Sequence, residues 1–262
     1  MSKLSITTVQ TDLFWQNKPA NLEMLDKKLR TVPAGTVVVL PEMFNTGFSM
    51  EPKEYGETMT GETVSWMREV AASQKCILTG SLIIQEKEAY HNRLVWMLPN
   101  GTLGYYDKRH LFGFAGEDKH YTAGKKRLVA QVNRWRILLL VCYDLRFPVW
   151  SRQQSKPDAR TEYDAIVYVA NWPEGRIAAW RSLLIARAIE NQAYVIGVNR
   201  VGCDGKGIQH NGNSMLINPL GEVLYEAVDK EEIATHVLDF TILQSIRDKF
   251  PFLKDSDHFT IG

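Results

Sequence analysis

The amino-acid sequence predicts an α/β protein whose mixed sheets pack on one another under a cover of helices, and three observations lead there. Short β-branched and aliphatic runs alternate with stretches of helical periodicity, which is the pattern of an α/β chain. A tight-turn signal, Pro99-Asn100-Gly101, separates two of those runs and demands an antiparallel pair, so a purely parallel, doubly wound sheet does not fit. No repeat, low-complexity run or long linker divides the 262 residues, so the chain reads as one domain over 1–262.

In chain order, a strand is expected at about 4–9, a helix at about 20–32 and a strand at Val37-Val38-Val39-Leu40. Pro19 falls in the opening turn of that helix, where the missing N–H has no partner to lose, and Leu22, Leu25 and Leu29 form one stripe. A second amphipathic helix, about 62–74, carries Val64, Met67 and Val70. Strands follow at 77–84, 93–98 and 102–106, the last two joined by the turn. Asn100-Gly101-Thr102 also matches the glycosylation pattern, but without a secretory signal it reads as that turn. Later strands are expected at 137–141, 166–170, 194–198, 214–217, 223–226 and 234–238, with a long helix at about 176–192. The polar stretches 49–62 and 153–162 read as surface loops.

Composition excludes several classes of function. Hydrophobic residues at 45% and charged residues at 23% are those of an ordinary globular protein. Net charge is +1 and the isoelectric point about 7.7, whereas a nucleic-acid binder is usually basic, above about 9; nucleic acid is not an expected partner. No apolar run approaches the ~18 residues that span a bilayer, and Met1-Ser2-Lys3-Leu4 leads into an alternating segment and not a signal sequence. The expectation is a cytoplasmic protein with no membrane partner. Cys76, Cys142 and Cys203 form no C-x-x-C pair and are expected as free thiols, and the six histidines lack metal-ligand spacing.

Reactive groups follow three strand ends, the places where a sheet aims side chains into a cleft. They are Glu42 after 37–40, Lys108 after the hairpin, and Cys142 after 137–141. Singly, each has a plain structural explanation: a small buried hydrophobe for the cysteine, ordinary solvated charges for the other two. Together they form the complementary set that acyl transfer requires. A thiol attacks as thiolate, so it needs a base, which Glu42 supplies. The oxyanion that develops needs donors, which Lys108 and the backbone N–H of Tyr143 supply. Nucleophile, base and oxyanion donors all come from the chain, so no metal or organic cofactor is expected.

At this point the sequence resembles the nitrilase superfamily of carbon–nitrogen hydrolases, whose Glu-Lys-Cys triad matches Glu42, Lys108 and Cys142. Leu40-Pro41-Glu42-Met43-Phe44 is similar to the family's glutamate segment, Tyr106-Asp107-Lys108-Arg109-His110-Leu111-Phe112 to its lysine segment, and Cys142-Tyr143-Asp144-Leu145-Arg146-Phe147-Pro148 to its nucleophile segment. The likeness continues through Asn171-Trp172-Pro173 and Asn218-Pro219-Leu220-Gly221. It implies a four-layer α-β-β-α sandwich of two mixed sheets, commonly paired into homodimers or larger homo-oligomers. It also implies a second glutamate that positions substrate and lysine, matched in placement by Glu117, although the segment 113–119 departs from several subfamilies.

Within that superfamily the nucleophile and Asn171-Trp172-Pro173 segments look most like the ω-amidases, which hydrolyse the terminal amide of small 2-oxo acids such as 2-oxoglutaramate. The partner so implied is a small-molecule amide. Its distal carboxylate calls for a cation, Arg146 or Arg176, each of which can equally serve as a structural ion-pair partner. Phe112, Tyr143 and Trp172 are candidates for an apolar pocket wall or for core beneath the loops. Rival readings are the same triad acting on an N-carbamoyl amino acid, a nitrile or another amide; a catalytically silent binding protein on this fold; and a redox thiol built on Cys142.

Overall fold

The computed structural model describes residues 2–153 and 161–260, so most of the stretch 153–162, expected as a loop, lies outside the described residues. The elements in chain order are β1 (Lys3–Gln10), α1 (Lys18–Leu29), β2 (Val37–Val39), α2 (Pro52–Tyr55), α3 (Glu62–Ser73), β3 (Ile77–Glu86), β4 (Ala89–Met97) and β5 (Leu103–Asp107). They continue with β6 (Leu128–Val132), β7 (Trp135–Val141), α4 (Pro148–Ser151), β8 (Ala165–Val169), α5 (Ile177–Asn191), β9 (Tyr194–Val198) and β10 (Val201–Cys203). The last are β11 (Gln209–Ile217), β12 (Val223–Val228), β13 (Glu232–Asp239) and α6 (Phe240–Lys249).

The strands form two mixed sheets. One runs β13-β1-β2-β3-β4-β5; the other runs β10-β11-β9-β8-β7-β6, with β12 paired to β11. β1, β2 and β3 are parallel to one another, as are β7, β8 and β9. Of these, β2, β8 and β9 are fully buried apolar runs because both their faces are covered. Val37 and Val39 of β2 join Leu4, Ile6, Leu94 and Trp96 in the core that the two sheets share with β7, β8 and β9. Val38 and Leu40 point the other way, into a cluster with Leu22, Leu25 and Leu29 of α1 and Val64, Met67 and Val70 of α3. The period of two in the strands thus separates two cores.

On the second sheet α5 packs against β9 and β11 through Trp180, Leu184 and Ala188, a stripe at four-residue spacing. Gly197 makes that approach possible, since a Cβ there would stand 2.5 Å from Leu184 and 2.8 Å from Trp180. The layers are therefore helix, sheet, sheet, helix, as the resemblance implies, and no helix among the described residues is long and apolar enough to cross a membrane.

Several expectations need correction. The stretch 49–62 is not simply a surface loop: it contains α2 and buries Ser49 and Pro52. Glu57 within it caps α3, accepting from Thr63 N at 3.2 Å and Val64 N at 3.1 Å, and this explains how the helix starts at a glycine N-cap. β6, β10 and α6 have no counterpart in the sequence reading. β6 is an edge strand with mostly half-buried side chains, so it lacks a clear alternation. The start of α6 does carry a signal, Asp239 accepting from Thr241 N at 2.8 Å as an N-cap.

Candidate active site

Backbone direction brings the three reactive segments together. β2 is parallel to β3, and β5 is antiparallel to β4, itself antiparallel to β3; β2 and β5 therefore deliver Glu42 and Lys108 at the same end of one sheet. From the facing sheet, β7 delivers Cys142 and β8 delivers Asn171. Two of these ends are sharply turned: Met43, just after Glu42, and Cys142 itself adopt left-handed backbone, with φ of 43° and 46°. Non-glycine residues hold that conformation at a cost of about 1 kcal/mol or more, and here it turns the chain away from the strand at both reactive segments.

Around Lys108 the contacts are short and dry. Its Nζ donates to Glu42 Oε1 at 2.9 Å and to Glu117 at 2.8 and 3.0 Å; all three side chains are fully buried. Glu42 Oε2 accepts from Asn171 N at 2.9 Å, while Asn171 Nδ2 donates to the Glu42 carbonyl at 2.5 Å. Glu117 Oε2 also accepts from Phe112 N at 2.6 Å. Cys142 is half-buried, and the Glu42 carboxyl group lies close enough to act on its thiol.

Burial and charge set the protonation states. Burial pushes the Cys142 thiol well above its usual range, and the Glu42 charge adds to this against the opposing pull of Lys108, so the resting group is a neutral thiol beside a carboxylate. Burial works against the Lys108 ammonium, but Glu117 and Glu42 outweigh it and hold the group above its ordinary value; Lys108 stays charged. Glu117 is shifted up by burial, opposed by Lys108 and reinforced by Glu42.

The sulfur opens on a cavity lined by Phe48, Phe112, Tyr143, Trp172, Arg146 and Arg176, among others. Phe112 and Tyr143 meet edge-on with centroids 4.9 Å apart, so all three aromatics named from sequence face the cavity, though Trp172 also packs on Trp180. The Arg146 guanidinium lies 5.0 Å from the Trp172 ring and that of Arg176 5.2 Å from the Phe112 ring, as cation–π pairs do. Among the described residues neither arginine has a carboxylate partner, so the ion-pair explanation finds no support. Among the described residues no cluster of three or more His, Cys, Asp or Glu is arranged to hold a metal.

Sequence reasoning missed several residues that shape this site. The glycine-rich segment 202–212 lies in the β10–β11 hairpin, which brings Asp204, Lys206, Ile208 and His210 to the cavity wall. Asp144, two residues after Cys142, ties the cysteine turn to the lysine loop. Its Oδ2 accepts from Val141 N at 3.0 Å and Tyr106 Oη at 2.7 Å, and its Oδ1 from His110 N at 3.0 Å. Asn92 in β4 donates to both Glu42 and Glu117. An Asn between His91 and Arg93 has no periodic signature; the one available hint is that a polar side chain so buried must have partners.

His210 also makes the fold acid-sensitive. Only 6% exposed, with Nδ1 unpartnered, it is pulled from 6.5 down to about 4 by burial and then by the Arg200 charge. The folded form therefore stays neutral where the unfolded chain takes a proton, so stability is lost as pH falls from about 6.5 toward 4. At about 1.4 kcal/mol per pH unit the loss reaches about 3 kcal/mol. Urea unfolding at neutral and acid pH should show a smaller acid loss in His210→Gln than in the parent protein; an equal loss would remove His210 from the account.

The carbon–nitrogen hydrolase family model matches residues 6–248, and the chain belongs to that family. It is 44% identical, over the whole length of both chains, to a protein from Escherichia coli named omega-amidase YafV. It is 28% identical, over 97% of both chains, to the 2-oxoglutaramate amidase of Bacillus subtilis. A solved CN-hydrolase superfamily protein from Xanthomonas campestris, with an arsenic adduct in its active site, superposes with a TM-score of 0.98 at 40% identity and full coverage of both chains.

Proposed function

We propose that this protein is an ω-amidase that hydrolyses the terminal amide of a small 2-oxo dicarboxylic acid monoamide, with 2-oxoglutaramate as reference substrate, through a thioester on Cys142. The observation that carries the reading is a carboxylate and a buried ammonium held together behind a thiol that lines a cavity, whose wall also holds two arginines without carboxylate partners among the described residues. The names of the relatives support the substrate class.

The cycle balances with these groups alone. Glu42 takes the thiol proton as Sγ attacks the amide carbon, and the oxygen that becomes negative is met by Lys108 and the Tyr143 N–H. An ammonium has three protons; one serves Glu42 and one is shared by the two oxygens of Glu117, which leaves one for the oxyanion. Glu42 returns its proton to the departing nitrogen, ammonia leaves, and the same carboxylate then deprotonates the water that attacks the thioester. That water's proton passes back to sulfur as the acid departs. Glu117 holds Lys108 in place. Phe112, Tyr143 and Trp172 enclose the short aliphatic chain, and Arg146 or Arg176 takes the distal carboxylate.

The reading has the enzyme working in the cytoplasm, where a free thiol stays reduced, as one domain over 1–262 and as a homodimer or larger homo-oligomer. Ammonia release from a panel of 2-oxoglutaramate, a neutral aliphatic amide, an N-carbamoyl amino acid and a nitrile tests it. The anionic 2-oxo amide should be the best substrate. Arg176→Met or Arg146→Met should raise its KM by about 10- to 100-fold, the worth of a charge-assisted pair, and leave the neutral amide unaffected. Preference for the nitrile or the neutral amide would sink the assignment.

A further inference from the structure

We infer that Asn92 is a positioning residue of the reaction, whose amide group bridges Glu42 and Glu117 and lets both carboxylates stay ionised around a single lysine. The inference rests on the reading of Glu42, Lys108 and Cys142 given above. Asn92 Nδ2 donates to Glu42 Oε1 at 2.8 Å and to Glu117 Oε1 at 3.1 Å. Lys108 Nζ reaches the same two oxygens, at 2.9 and 3.0 Å. One ammonium and one amide thus span both carboxyl groups in a site with no exposed side chain.

Two like charges in a dry site ordinarily force one group to keep a proton. A proton held on Glu42 at neutral pH would leave it unable to take the one on the thiol. A neutral donor with two N–H groups resists that outcome, because each hydrogen bond favours the charged form of its acceptor. A second cation there would neutralise the base it is meant to prepare. A serine offers one proton where two are needed, and an aspartate would add a third negative charge. The orientation agrees with this role. Asn92 is 1% exposed and its Oδ1 has no hydrogen-bond partner, so the amide satisfies the carboxylates at the expense of its own acceptor. The strand fixes the group as well, since the Asn92 carbonyl accepts from Lys108 N at 3.0 Å, so the same residue holds the backbone of the lysine and the oxygens around its Nζ.

The test is the pH profile of kcat/KM for 2-oxoglutaramate in the full-length protein and in two variants. Asn92→Asp keeps the shape of the side chain, and its activity should fall at least about 100-fold at neutral pH. Asn92→Ser keeps one donor and should fall about 10-fold. In both, the acid limb should move up by about one pH unit or more, further in the aspartate variant, because the carboxylates are then harder to ionise. KM should stay within about threefold of the parent value, since Asn92 is not expected to touch substrate. Acid limbs that superimpose on the parent in both variants, with activity falling only as melting temperature falls, would reduce Asn92 to a structural residue and overturn the inference. Should Glu42→Gln turn over normally, the catalytic reading itself would fail, a result that can be told apart from an unmoved pH profile.

Discussion

Replacing Cys142 with alanine is expected to lower ammonia release from 2-oxoglutaramate by on the order of 10⁴-fold or more, with little change in melting temperature. The size follows from the route. Without sulfur there is no covalent intermediate, and a water activated by Glu42 would have to displace ammonia directly. What remains is the catalysis supplied by binding and the oxyanion donors. The fold should tolerate the change because Cys142 is half-buried at a cavity, and alanine adopts its left-handed backbone at a similar cost. Cys76 is buried and Cys203 exposed, neither lines the cavity, and serine at either position should retain activity. An active Cys142→Ala protein, or inactivation by Cys203→Ser alone, would move the nucleophile elsewhere.

Glu42→Gln is expected to cost about 10³- to 10⁴-fold in kcat, near the upper end of what a general base contributes. Both carboxylate oxygens are surrounded by donors, Lys108 and Asn92 on one and Asn171 N on the other. A glutamine must therefore set its own NH₂ against a donor as well as lose the base. The thiol supplies a second reading of opposite sign. Burial and then the Glu42 charge raise the Cys142 pKa, so removing that charge should lower it. The ultraviolet absorbance of the thiolate should appear at lower pH in Glu42→Gln than in the parent, even as turnover collapses. Turnover near the parent level would remove Glu42 from the mechanism, and a thiolate titration that did not move would show the two groups to be uncoupled.

The parts of this enzyme legible in the chain are those that carry a local pattern. Val37-Val38-Val39, 137–141 and 194–198 read as strands because continuous apolar runs of that length suit a strand covered on both faces. Which face of β2 meets the other sheet was not legible, since Val37-Val38-Val39-Leu40 is apolar on both; the structure turns Val37 and Val39 inward, into one core with Leu4 and Ile6. Glu42, Lys108 and Cys142 stood out because each is a reactive group directly after such a run, and because their chemistries complement one another. Arg146 and Arg176 were named only through the resemblance, as the cations that a distal carboxylate calls for. Segments whose burial depends on distant neighbours were not legible: β6 is a half-exposed edge, and the 202–212 hairpin became a cavity wall only by crossing to the mouth of the site.

The sequence by itself determined the class of fold, the order of most strands and the candidate thiol, carboxylate and ammonium, because hydrophobic period and side-chain chemistry are properties of neighbouring residues. Only the tertiary structure decided that Glu117 shares the lysine with Glu42, that Asn92 bridges the two, and that Asp144 locks the cysteine turn to the lysine loop. Those roles exist through contacts of about 3 Å between segments far apart in the chain, and a hydrogen bond at that range leaves no mark on the residues beside it.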